Sequence, residues 1–421
     1  MLAFFAFALL GVPLAFALGL STIVGLSMSD LPVDMMGGRL MFSVNSFPLM
    51  AIPFFMLAGE LMVHGGIVNR IIAFANTLVG SIRGGLGHVT IVTGLGLASV
   101  SGTAVADAAA LGSALLRPME KLYGRPFSAS LIAATANLGP IQPPSTAMIV
   151  YASIAGPGVA VGALFIAGVV PALLIVAFMV AYVFIIAKLR NFPQSGERFQ
   201  VSRVLREGWR TLPVLTMPVV VIGGIIGGAF TATEGGAIAV VMAMLIGFFV
   251  TRELKLSHLP GSLLSAAITT GIVGTIIAFA ATVTFLFTID QIPQQLSALI
   301  GQWTKDPTGF LVIVFLMLVV VGMFVEPTAA YVMLVPIFAP VALTYGIDPI
   351  HFAMVFILTL VVGMLTPPIG TLLFVMCAMT GMTIWQLVKE NWPLMLIQFG
   401  VCLLVLFFPS LVLWLPRLLG Y

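Results

Sequence analysis

The sequence predicts an all-α polytopic membrane protein made of two inverted repeats, each with a re-entrant helical hairpin and a proline-broken transmembrane helix. Three observations predict it. The first is composition: of 421 residues, 61% are hydrophobic and 7% charged, with a mean hydropathy of +1.20. A water-soluble domain has about 25% charged residues. A span needs about 20 apolar residues, and such runs follow one another from Met1 to Leu415 with no room for a soluble catalytic head. The second is the placement of charge, and the third is a pair of Pro-Pro steps, "GPIQPPST" and "GMLTPPIGT", inside apolar runs.

Taken in order, full spans are expected at 1–28, 41–64, 126–155, 160–187, 211–229, 235–250, 263–289, 351–378 and 393–415. The first, "MLAFFAFALLGVPLAFALG", lacks the basic segment of a signal peptide and reads as a retained helix. Cytoplasmic loops collect Lys and Arg, and the segment 188–210 carries six of them. It reads as a basic cytoplasmic connector, an orientation signal rather than a nucleic-acid site. Counting outward puts Arg70, Arg83, Arg117, Lys121, Arg125, Arg252, Lys255 and Lys389 on the same side, with Arg39, Lys305 and Arg417 opposite. The N-terminus is then cytoplasmic and the C-terminus periplasmic. Two further apolar stretches, about 84–117 and 309–343, have both ends on one side and a polar or proline interruption at the centre. They read as re-entrant hairpins.

An internal repeat follows. Placing "SGTA" at 101–104 on "EPTA" at 326–329 needs a shift of 225 residues, and placing Gly139, Pro143 and Pro144 on Gly363, Pro367 and Pro368 needs 224. The first repeat is residues 1–187, with its broken helix at 126–155, and the second is 211–421, with its broken helix at 351–378. Loop charge opens the first hairpin to the cytoplasm and the second outward, so the repeats are inverted.

Irregular backbone at membrane depth is tolerated only where protein or a water-filled cavity satisfies its polar groups. Proline removes an amide and blocks the carbonyl one turn earlier, so each break should free carbonyl oxygens, which are cation ligands. The half-helix that follows starts with unpaired amides that attract anions. Broken helices at matched positions of two inverted halves point to a transport site at the bilayer midplane.

Ionisable groups at this depth are functional candidates: Asp107, Glu234 and Glu326. Asp107 lies one turn beyond Thr103 and either faces the same cavity or satisfies local amides. Glu326 is at the second hairpin tip, and Glu234 is between two spans, where a helix cap is the competing role. Glu60 and Asp290, at span ends, read as interfacial. Ser99, Ser101, Thr103, Ser145, Thr328, Thr366 and Thr371 supply hydroxyls that suit a hard cation such as sodium, and Gly102, Gly139, Gly322, Gly363 and Gly370 permit tight turns. His64, His88, His258 and His351 lack metal-ligand spacing, and Cys377 and Cys402 sit in apolar runs as small packing residues. No H-E-x-x-H or phosphate-binding glycine loop is present in the sequence. No enzyme activity, no organic cofactor and no direct use of ATP is expected.

At these motifs the chain resembles the large membrane subunit of the tripartite ATP-independent periplasmic transporters, the DctM type. The resemblance covers the whole chain through "SGTAVADAAALGSALLRPM", "NLGPIQPPSTAMIVYAS", "FTATEGGAIAV", "EPTAA", "LVPIFAPV" and "GMLTPPIGTLLFVMCAM". It implies Na+-driven uptake of an organic acid by an elevator motion. It also implies two partners, a small membrane subunit of four helices and a soluble periplasmic substrate-binding protein. It further implies sodium binding at Ser99, Ser101, Gly139 and Pro143 in the first half and at Gly322, Thr328, Gly363 and Thr366 in the second. Substrate contact falls on Thr103, Asp107, Ser145 and Thr371. Gln142 departs from the family pattern, which more usually has an apolar residue before the Pro pair. C4-dicarboxylates and sialic acid are both compatible cargoes. The competing reading is a stand-alone sodium/dicarboxylate symporter that needs no soluble receptor.

Overall fold

The computed structural model describes residues 2–28, 32, 34–45, 47–156, 158–194 and 199–421. Met1 and residues 195–198 of the basic connector lie outside them. The regular elements of the described chain are all helices. The run expected as one first span divides into α1 (Leu2–Leu9) and α2 (Leu14–Ser27). The division falls at Gly11, whose φ is +80°, and at Pro13, which has no amide to continue the ladder. The second expected span is likewise composite: α3 (Met35–Val44), a 3-10 turn at Phe47–Met50, and α4 (Ala51–His64). The sequence reading missed α5 (Ile67–Val79), which bends 68° from α4.

The first hairpin is α6 (Gly85–Ser101) and α7 (Ala104–Tyr123), packed against each other and joined by Gly102 and Thr103. The first broken helix is α8 (Arg125–Ala136) and α9 (Thr146–Ala155), followed by the long α10 (Val161–Leu189). Next comes α11 (Val201–Ile226), which begins inside the connector expected to be a loop, because the sequence from Val201 to Arg210 holds no helix breaker until Gly208. The chain continues through α12 (Ala232–Leu245), with a π-helical end at Ile246–Thr251, and α13 (Leu259–Ile289). The amphipathic α14 (Ile292–Trp303), whose one buried residue is Ile300, was not expected.

The second hairpin is α15 (Pro307–Phe324) and α16 (Pro327–Thr344), and the second broken helix is α17 (Pro349–Gly363) and α18 (Thr371–Thr380). Both Pro pairs lie in the breaks, each with a cis peptide bond. The chain closes with α19 (Ile384–Phe407) and α20 (Ser410–Leu418). Against nine expected crossings, seven helices among the described residues are long and apolar enough to cross a membrane, or eight if the bent α4–α5 pair is one span. Those seven include α15 and α16, whose 18 residues each are about 27 Å long at 1.5 Å per residue.

The two halves share one core. Tyr151 of α9 meets Tyr331 of α16 with ring centroids 6.3 Å apart and Phe356 of α17 at 5.8 Å, both edge-on, a favourable geometry for buried rings. This cluster fixes the first break's second half-helix against the second hairpin and the second broken helix.

Candidate functional site

Each hairpin tip touches a helix break at backbone distance. Gly102, with φ +64°, makes the first tip, and a Cβ there would fall 2.7 Å from the Pro144 carbonyl oxygen. Thr146 Oγ1 donates to the Gly102 carbonyl at 3.0 Å. On the same side, a Cβ on Gly139 would lie 2.7 Å from Asp107 Oδ2 and 2.8 Å from the Thr103 carbonyl oxygen. In the second half a Cβ on Gly363 would lie 2.6 Å from the Gly322 Cα. Only glycine permits these approaches.

Around the first tip, Ser101 Oγ donates to Asp107 Oδ1, and the Thr103 amide lies 3.4 Å from Ser101 Oγ. Asp107 is fully buried, and its Oδ2 has no hydrogen-bond partner among the described residues. The carboxyl therefore sits behind the tip, between Ser101 and Gly139, and not on the cavity wall. Ser99 Oγ donates to the Leu95 carbonyl and accepts from Gln142 Nε2 at 3.3 Å, so the unusual Gln142 bridges the break to the hairpin arm. Ser145 is spent inside the break: its Oγ donates to the Pro140 carbonyl at 2.6 Å and accepts from the Met148 amide, capping α9. Pro143 stands in the same break.

Around the second tip, Glu326 caps α16, accepting from the Ala329 amide at 3.1 Å and from Thr328 Oγ1 at 2.8 Å. Thr366 Oγ1 donates to the Val362 carbonyl at 3.0 Å. Thr371 starts α18 with its hydroxyl unpartnered among the described residues. Glu234 stands apart in a capping box: its Oε2 accepts from the Thr231 amide and hydroxyl, while the Glu234 amide donates to Thr231 Oγ1.

Both tips border one chamber of about 1030 Å³. Its polar lining is Glu60 of α4, Thr103, Thr146, Ser265, Thr269 and Thr275 of α13, Glu326, Thr328 and Tyr331. Of the four residues expected to touch substrate, Thr103 is on this wall, whereas Asp107, Ser145 and Thr371 are not. Among the described lining residues two are acidic and none is Lys, Arg or His. Glu326 is occupied by its own helix start. Glu60, read from the sequence as interfacial, instead faces the chamber, with its Oε1 accepting from Ser265 Oγ at 2.7 Å. A carboxyl in the apolar run "AIPFFMLAGELMV" was the available signal, and the Ser265, Thr269 spacing of one helical turn was the second. Glu60 also borders a cleft of about 30 Å³ against Ser101, Thr103 and Thr269, room for roughly one water.

The helix starts differ. At α7 the N-cap Thr103 makes no side-chain cap bond and residues 103–106 line the chamber, while Asp107 of the same first turn is turned away toward Ser101. At α16 the acidic cap offsets the helix dipole.

Comparison with known proteins places this arrangement. A family model described as "Tripartite ATP-independent periplasmic transporter, DctM component" matches residues 1–411. The chain is 36% identical over 383 residues to the C4-dicarboxylate TRAP transporter large permease protein DctM of Pseudomonas aeruginosa, covering 91% of this chain and 89% of that one. It is 36% identical over 420 residues to the sialic acid TRAP transporter large permease protein SiaM of Vibrio cholerae, covering 99% and 95%. The crystal structure of the Alcanivorax borkumensis YdaH transporter has a similar fold, with a TM-score of 0.63 over 96% of this chain and 98% of that one at 13% identity. This chain, a multi-pass membrane protein and not an enzyme, belongs to the DctM-component family of tripartite ATP-independent periplasmic transporters.

Proposed function

We propose that the chain is the large permease subunit of a sodium-coupled secondary transporter that imports a small organic acid. A periplasmic binding protein delivers the acid, and a small four-helix membrane subunit completes the permease. The observation that carries this reading is the charge of the chamber: its described lining holds two carboxyls and no basic side chain. An organic anion entering such a low-dielectric space needs positive charge from elsewhere. The start of α7, whose first turn carries Asp107, offsets little of the anion's charge, and a co-bound cation supplies the rest. That makes cation binding a condition of substrate binding, which is the basis of symport.

The cation sites belong at the two tip-and-break contacts, Ser99, Ser101, Gly139 and Pro143 in one half, and Gly322, Thr328, Gly363 and Thr366 in the other. Thr103 faces the substrate. The matched order of hairpin and broken helix in residues 1–187 and 211–421 supports a reading as inverted repeats with re-entrant hairpins that move together as an elevator. A cytoplasmic N-terminus and periplasmic C-terminus follow from the basic loops. The names of the two relatives, one for C4-dicarboxylates and one for sialic acid, agree with a carboxylate cargo.

The test is uptake of labelled carboxylates into liposomes holding the chain and its small subunit, with the receptor outside. Uptake driven by an inward sodium gradient, absent with potassium and absent without receptor, is the expected result. Uptake without receptor would instead establish a stand-alone symporter, and uptake indifferent to the cation would exclude sodium coupling.

A further inference from the structure

One helix reaches both breaks. α19 carries Asn391 and Gln398, seven residues apart and therefore two turns along the same face, about 10 Å from each other. Both are buried, at 1% and 0% exposure. Asn391 Nδ2 donates to the Leu365 carbonyl at 3.2 Å, in the second break. Gln398 Nε2 donates to the Ala134 carbonyl at 2.9 Å, and its Oε1 accepts from Asn137 Nδ2 at 2.7 Å, at the first break.

These are the carbonyls that the breaks release. Leu365 lies past the end of α17, where no described backbone amide reaches its carbonyl; the amides missing at Pro367 and Pro368 would have served Gly363 and Met364, whose carbonyls accept from Thr366 and Leu372 instead. At the other break the Leu138 amide bonds the Thr135 carbonyl instead of continuing the ladder to Ala134. A free carbonyl at membrane depth costs several kcal/mol, and in each half a side chain of α19 satisfies one. The rest of the helix is anchored independently: Ser130 Oγ donates to the Leu387 carbonyl at 3.0 Å, and Arg190 pairs with Glu390 at 2.9 Å. Two buried amide side chains in a membrane helix are expensive, and nothing in α19's own backbone needs them.

We propose that α19 is a strap that holds the two breaks in one register, with Asn391 and Gln398 as positioning residues that make the two cation sites bind cooperatively. Neither residue is a ligand. Each sets the position of a break whose remaining oxygens are, and this rests on the sodium reading given above. Because the two breaks hang from one helix, a cation that orders one of them removes part of the ordering cost at the other.

The test is thermal unfolding of the purified full chain titrated with NaCl, with KCl added to keep ionic strength constant. The wild type is expected to show a sodium-specific rise with a Hill coefficient above one. Gln398→Met and Asn391→Leu, which keep bulk but lose the hydrogen bonds, should each raise half-saturating sodium by about tenfold and bring the Hill coefficient toward one. That is about 1.4 kcal/mol by the tenfold rule. Gln398→Glu keeps the acceptor for Asn137 while losing the donor to Ala134, and should fall between. Variants that lower the melting temperature equally in both salts, with half-saturation and Hill coefficient unchanged, would show a merely structural role and overturn the strap. A wild type without a sodium-specific rise would overturn the sodium reading itself, a result distinct from the first.

Discussion

Gly322 and Gly363 meet backbone to backbone: a Cβ on Gly363 would stand 2.6 Å from the Gly322 Cα and 2.7 Å from its carbonyl oxygen. The end of α15 and the end of α17 can approach this closely only because neither residue has a side chain. Gly363→Ala must push α15 away, and overpacking of this kind costs about 1–3 kcal/mol. The expected outcome is a lower melting temperature together with loss of sodium protection at the second site. A variant with wild-type sodium protection would show that the contact is packing alone.

At the first tip the Ser101 hydroxyl is the one described partner of the buried Asp107 carboxyl. Ser101→Ala should destabilise by about 1–3 kcal/mol, the cost of leaving a buried polar group without its partner. Asp107→Asn in the Ser101→Ala background should recover part of that loss, because a neutral amide is less costly to leave there. A double-mutant cycle by chemical unfolding measures the coupling; additive effects would contradict the pairing.

Glu60 places an acid on the chamber wall, held by Ser265. Glu60→Gln keeps an oxygen to accept from Ser265 and removes the negative charge. Anionic cargo should then bind about fivefold to tenfold more tightly, as expected for relief of like-charge repulsion in a partly screened cavity. Equilibrium binding of labelled substrate reads this directly, and an unchanged or weaker affinity would place Glu60 outside the cargo's path.

Glu234 is engaged in the Thr231 capping box and does not line the chamber. Glu234→Ala should lower thermal stability modestly and leave half-saturating sodium unaltered, since the loss is of helix-start hydrogen bonds. A shift in sodium dependence would restore it as a transport residue.

The breaks were legible because a Pro pair removes two consecutive amides, as Pro143–Pro144 and Pro367–Pro368 do, whereas single prolines such as Pro171 and Pro218 remain inside α10 and α11. Asp107 and Glu326 were legible as candidates because carboxyls at membrane depth are rare. Which way they face was not. Asp107 turns to Ser101, six residues back, and to Gly139 across a glycine contact, and Ser145 turns to Pro140, five residues back. Glu60 was misplaced because nearness to the span end at His64 does not tell which face it presents; Ser265 of α13, 205 residues away in the chain, meets it on the chamber wall. α14 and the start of α11 were missed because their exposed faces give no hydropathy signal of a crossing. The reach of α19 to both breaks depends on how α8 and α17 pack on it, which no local pattern encodes.

The measurement that bears most directly on the account is equilibrium binding of radioactive sodium to the purified chain, with Ser101→Ala and Thr366→Ala beside the wild type. Saturable binding displaced by unlabelled sodium but not by potassium is expected, with about half of the bound ion lost in each variant at saturating sodium, where both sites of the wild type are filled. Binding equal in all three proteins, or none in any, would contradict the placement of the coupling cation at the two tip-and-break contacts.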